Sequence, residues 1–326
     1  MRWEIKAVVQ GVLSRAPGGY ELHRRLQRIN GSDRLDVDLE YKRKARFLHR
    51  LLEQGIPLEG ATILEIGTGW HPFLPLVLQL MGARRTVTLD VNPWLTSETL
   101  DETLQATESQ LERLSAEFGV REDAARARLA ALRDRIRTGA TLAQVLKEAD
   151  VEYCCPMDAG DSGLPAQSFD LVMSSNVFEH IPPSELRRIV AESRRLLRPG
   201  GVSAHHIDTA DHFATDERIT SVNFLKYSPR AWRLISRGLA YHNRLRCREY
   251  PRLFEEAGFS LLDVMLETDE RALAALRDGA VRPNEAFRAF THQELAEVLV
   301  DVFARVPAER AVTPQELSPG SSQSSR

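Results

Sequence analysis

The stretch from Ala61 to Asp90 constrains the fold more than any other part of the chain. ATILEI (61–66) reads as a buried strand running into Gly67-Thr68-Gly69, PFLPLVLQLMG (72–82) as a helix closing on Gly82, and RTVTLD (85–90) as a second strand. A strand, a helix and a strand in this little sequence make a parallel βαβ unit. The alternation stops after Asn92 and resumes with VEYC (151–154), FDLVMSS (169–175), a helix from Ser184 to Leu197 and the strand VSAHHID (202–208). Ser228-Pro229 opens a further helix, 248–257 is another, and FSLLDVML (259–266) is a strand. The pattern predicts an α/β fold with a doubly wound, mostly parallel sheet over residues 61–268.

Three segments fall outside that frame. Residues 1–60 read as an N-terminal helical cap, with helical spacing in 20–29 and again from Tyr41 to Leu52. Residues 94–150 read as a helical insertion. Leu104, Leu111, Leu114 and Phe118 share one face, Ala125, Leu129, Leu132 and Ile136 a second, and Thr141 with Gln144 makes a capping box for a third helix. Those faces need partners, so the insertion is expected to pack on itself, form a lid, or join two chains in a homodimer. Residues 269–308 read as a helical segment ending in an amphipathic helix over 291–305, which leaves no seventh strand. The polar end, 309–326, is expected to be a disordered tail.

In an open parallel sheet the ligand lies beyond the carboxyl ends of the strands. Those ends give Glu65 to Gly69, Asp90, Asp158, Ser174 to Asn176, and His206 with Asp208. Glycines let the backbone approach a ligand closely, and Asp90 is spaced to accept both hydroxyls of a ribose. To this point NAD fits as well as any nucleotide. The third glycine that eases packing around a pyrophosphate is absent, however, with Pro72 and Pro75 at the helix start instead. Glu65 suits an ammonium group and would repel a diphosphate. The net charge of −3 shows no nucleic-acid or membrane-surface footprint, and Arg187-Arg188 and Arg194-Arg195 read as a solvated helix face. No stretch is apolar enough to span a membrane. Three cysteines make no disulfide framework, and neighbouring Cys154 and Cys155 read as small buried hydrophobes. A cytoplasmic protein is expected.

The stretches ILEIGTGW (63–70), VTLDVNP (87–93), CPMDAGDSGLPAQSFDLVMSSNVFEHI (155–181) and ESRRLLRPGG (192–201) resemble, in this order and spacing, class I S-adenosylmethionine-dependent methyltransferases. The resemblance covers about residues 60–92 and 150–268 and implies a Rossmann-like sheet with S-adenosyl-L-methionine as cofactor. It implies that Gly67 and Gly69, with Thr68 between them, border the methionine part and that Glu65 orients its amino group. Asp90, followed by Val91, would hold the ribose, Asp158 the adenine amine and Met157 the ring face. The stretch from Asn176 to His180 would lie beneath the sulfonium. DHFATDERITSVNFLKYSPRAW (211–232) and YHNRLR (241–246) are similar to bacterial methyltransferases of polysaccharide and natural-product clusters, which implies a small-molecule acceptor, most simply a hydroxyl. An N- or C-methyltransferase, a dehydrogenase on the same sheet and a non-catalytic binding module are the alternatives.

A hydroxyl acceptor must lose its proton. Alternation along VSAHHID puts His206 and Asp208 on one face and turns His205 away, and His212 follows in the next loop. His206, Asp208 and His212, with His180, are therefore the expected catalytic group, acting as a general base without a metal. Asp170, at the start of its strand, is expected to be structural.

Overall fold

A computed structural model describes residues 35–212, 214, 219–238 and 241–308. The helix expected over 20–29 and the tail from 309 lie outside the described residues. Seven strands form one sheet: β1 (Thr62–Ile66), β2 (Arg85–Leu89), β3 (Val151–Cys154), β4 (Phe169–Ser175), β5 (Leu197–Asp208), β6 (Ser260–Thr268) and β7 (Glu297–Arg305). Their order is β3-β2-β1-β4-β5-β7-β6. β1 to β5 pair in parallel, and β7 runs antiparallel between β5 and β6. The order reverses between β1 and β4, so the crevice beyond their carboxyl ends is the topological switch point. β1 is buried along its whole length, as a central strand covered on both faces must be. Asp170 is structural, as expected: it accepts from the Thr62 backbone N–H at 2.8 Å and pairs with Arg198, tying β4 to the start of β1.

The helices are α1 (Val37–Glu53), α2 (Phe73–Leu80), α3 (Ser97–Ser109), α4 (Leu111–Phe118), α5 (Glu122–Arg137), α6 (Leu142–Glu148), α7 (Pro183–Leu196), α8 (Pro229–Ile235), α9 (Tyr250–Glu256), α10 (Glu270–Arg277) and α11 (His292–Ala296). The insertion is helical, with Thr141 and Gln144 forming the expected capping box. Its apolar faces are closed within one chain, however. Leu104, Leu111, Leu114, Leu129 and Leu132 are buried in the same cluster as Phe47 and Leu51 of α1 and Leu74 and Val77 of α2. Tyr41 of α1 donates to Glu117 of α4 at 2.9 Å, and the Arg113 guanidinium lies 3.8 Å from the Tyr41 ring centre. These faces are thus partnered within one chain, in large part by the insertion's own helices, as self-packing predicts.

The C-terminal segment also differs from expectation. The helix expected over 291–305 ends after five residues, at Ala296, and the chain continues as β7. The seventh strand exists, and it fills the gap between β5 and β6. A further correction is minor: Cys154 and Cys155 are half-buried, and only Cys247 is fully buried. The arginine pairs of α7 are a solvated, salt-bridged face, with Arg188 on Asp158 and Arg195 on Glu192. No helix among the described residues is long and apolar enough to cross a membrane.

Candidate active site

A cavity of about 910 Å³ opens at the switch point. Every residue expected to bind cofactor lines it: Glu65, Gly67, Thr68, Gly69, Asp90, Val91, Met157, Asp158 and Asn176. The glycine turn is built for close approach. Gly67 has φ of +85°, and a Cβ there would stand 2.4 Å from Val177 Cγ2, so no side chain fits. Asp90 preorganises the turn by accepting from the Gly69 N–H at 3.0 Å and the Asn92 N–H at 2.9 Å. Burial raises the Asp90 carboxyl above its ordinary value despite those donors. Met157 follows β3 and donates its N–H to the Asp90 carbonyl at 2.9 Å, bringing the third strand end to the second.

Glu65 is the last-but-one residue of β1 and is buried, with one oxygen accepting from Thr88 at 2.6 Å. Burial pushes its carboxyl up to about 7. A cationic ligand would offset that cost by favouring the charged form. Asp158 accepts from the Gly160 N–H at 2.8 Å and from Arg188 at 3.0 Å, which hold it below the usual carboxylate range. Asn176 directly follows β4 in the left-handed region, with φ of 57°. Its Oδ1 is buried and has no hydrogen-bond partner among the described residues. A strained backbone holding an unsatisfied acceptor at a cavity wall is a site feature rather than a packing one.

The expected catalytic group divides. His180 lines the cavity, and burial, followed by the nearby His212, lowers its imidazole to about 4, so it is neutral. Its ring centre is 5.0 Å from that of His212, whose Nε2 is 3.7 Å from Asp208 Oδ2. Burial pushes the Asp208 carboxyl up, but the His212 side chain and the Ala210 N–H outweigh it and leave the group below its ordinary value. His206 does not belong to this group. Its Nδ1 lies 2.5 Å from Asp301 Oδ1 on β7, and Asp301 also pairs with Arg50 of α1 at 2.9 Å. The ring is buried near Phe47, away from the cavity, so the assignment of His206 as general base is withdrawn. His205 turns away as expected, between Ser174 and Ser203 at 2.7 and 2.8 Å and stacked on Phe178. Burial alone lowers its imidazole to about 3.

Two features escape sequence reasoning. α1 roofs the cavity with Leu39, Glu40, Arg43 and Lys44, and Lys44 is buried with its ammonium 3.3 Å from Glu40. Glu179, on the short turn Phe178–His180, is fully buried. The FEHI stretch placed it near the ligand, but nothing local marked it as distinct from its neighbours.

Residues 37–264 match the methyltransferase domain family. The chain belongs to that family, and the sheet order and cavity place it among the class I S-adenosylmethionine-dependent methyltransferases. No curated protein matches the chain. Similar solved structures include a SAM-dependent methyltransferase from Methanosarcina mazei, at 16% identity and TM-score 0.41, covering 79% of this chain and 98% of that one. Phosphoethanolamine N-methyltransferase 2 of Haemonchus contortus, in complex with S-adenosyl-L-methionine, has 18% identity and TM-score 0.42, covering 81% and 52%. The [4+2]-cyclase SpnF has 15% identity and TM-score 0.42, covering 81% of each chain. At these scores the likenesses carry no functional weight.

Proposed function

We propose that the protein transfers the methyl group of S-adenosylmethionine to a hydroxyl of a small molecule in the cytoplasm. The observation that carries this reading is that the whole cofactor set and His180 line one cavity, with the His212 ring 5.0 Å behind that of His180. In this reading Glu65 meets the ammonium, Asp90 the ribose, and Asp158 and Met157 the adenine, while Asn176 lies under the sulfonium. Half-exposed Trp70 and Trp94, whose ring centres are 4.7 Å apart, wall the same cavity with Leu39 and Tyr241. That lining favours an acceptor with an apolar or ring-bearing part.

Transfer from a sulfonium needs alignment above all, which can remove as much as ~7–11 kcal/mol of barrier. The acceptor oxygen gives up its proton to an imidazole of the His180–His212 pair, its lone pair forms the new bond to the methyl carbon, and the carbon–sulfur pair returns to sulfur. His180, His212 and Asp208 are the groups that prepare the hydroxyl for this step. The test is calorimetry with S-adenosylmethionine, its demethylated product and NAD, followed by methyl transfer from labelled cofactor to a panel of small alcohols, phenols and amines. Binding of NAD in place of the sulfonium compound would sink the reading. Labelling of amines alone would move the acceptor atom to nitrogen.

A further inference from the structure

Glu179 is fully buried, and neither of its carboxylate oxygens has a hydrogen-bond partner among the described residues. A buried carboxyl whose oxygens have no side-chain partner is a costly arrangement that a bound cation would offset. His180 and His212 each bring one ring nitrogen to it, and the three donor atoms lie within 4.8 Å of one another. His180 Nδ1 is 3.1 Å from the Tyr241 carbonyl, so that nitrogen donates and Nε2 keeps its lone pair. A histidine that binds a metal through one nitrogen commonly donates the other to a backbone carbonyl in this way. Asp208 stands beside His212 and adds negative charge. His242, whose buried Nε2 also lacks a partner among the described residues, has its ring centre 4.7 Å from that of His212.

We propose that Glu179, His180 and His212 bind a divalent transition cation of the Zn²⁺, Fe²⁺ or Co²⁺ kind. Two imidazoles and one carboxylate are a donor set for such ions rather than for Mg²⁺ or Ca²⁺. Tetrahedral coordination with bonds of ~2.1 Å needs donors about 3.4 Å apart, so the three donor atoms, within 4.8 Å of one another, must draw together when the ion binds. Three protein ligands leave a coordination position open, and His180 borders the cofactor cavity. In the methyltransferase reading, on which this role rests, the open position takes the acceptor oxygen. The cation lowers the cost of releasing the hydroxyl proton to water, and the bound oxygen then attacks the methyl carbon with no change in oxidation state. The histidines act as ligands, in place of the metal-free base expected from the sequence.

Metal-stripped protein is titrated with Co²⁺ and followed by visible absorption, with circular dichroism melts as the folding control. One equivalent per chain is expected. Glu179→Gln and His212→Ala should each weaken binding at least ~10-fold, whereas His292→Ala, at the exposed start of α11, should not. If Glu179→Gln fails to fold, His212→Ala decides alone, because its side chain is exposed. A stoichiometric band that survives His212→Ala, or no band in the wild type, overturns the site. Cofactor affinity is measured on the same metal-free wild type. Its absence would overturn the methyltransferase reading and leave the Co²⁺ result standing.

Discussion

Asp90 holds the glycine turn before any ligand arrives, since its two oxygens already accept from Gly69 and Asn92. Each oxygen keeps lone-pair capacity for a ribose hydroxyl. Asp90→Ala should therefore weaken cofactor binding by ~1–3 kcal/mol, read by calorimetry, and unchanged affinity would place the ribose elsewhere. Glu65 gives a pH signature. Its carboxyl, raised to about 7 in the fold from an ordinary 4.5, contributes stability that is whole below 4.5 and is lost as pH rises through 7. An ammonium bound beside it favours the ionised form. Affinity should thus rise from about pH 6 to about pH 7.5, and binding near pH 6.5 should release part of a proton. Titrations in two buffers of different ionisation enthalpy measure that release, and a heat independent of buffer would separate Glu65 from the ammonium. These residues were legible in the sequence because strand ends are local features. Lys44 and Glu179 were not, because their roles depend on a helix and a turn brought together only in the fold.

At the scale of elements, β7 shows why a charged residue in an apolar run misleads. Thr291 and Glu294 do form a capping box, as their spacing suggests. Leu295, Leu299 and Val302 then continue at helical spacing, with Asp301 set to be the polar face. In the structure Asp301 is buried in a strand because Arg50 and His206 satisfy it. Both partners are remote in sequence, so no local pattern could disclose them. Asp301→Ala leaves buried His206 Nδ1 without its carboxylate and breaks the ion pair with Arg50, and should cost about 3 kcal/mol of stability, measured by urea unfolding. His206→Ala should likewise lower the urea midpoint while cofactor affinity holds. A turnover loss of ~100-fold in a fully stable His206→Ala protein would restore its role as a base.

Across the whole molecule, the insertion packs on itself, as its spacing first suggests, and also joins the main core with α1 and α2. The faces themselves were legible from spacing, but their partner in α1 was not, because it lies before the sheet begins. Leu111→Asp with Leu114→Asp should therefore unfold the chain, and light scattering with circular dichroism will distinguish this from a change in assembly. Leu129→Ala alone should cost ~2–5 kcal/mol, and an unchanged melt would detach the insertion from the core. The same architecture divides α1 into two tasks. Its last turns anchor to β7 through Arg50, and its first turns face the cavity with Leu39, Glu40 and Lys44. The foundation and the roof are thus one rigid rod. If the proposed function holds, exchanging residues at the roof end should alter substrate preference while the foundation end keeps the rod in register. The opening helix is a replaceable key held in a fixed lock.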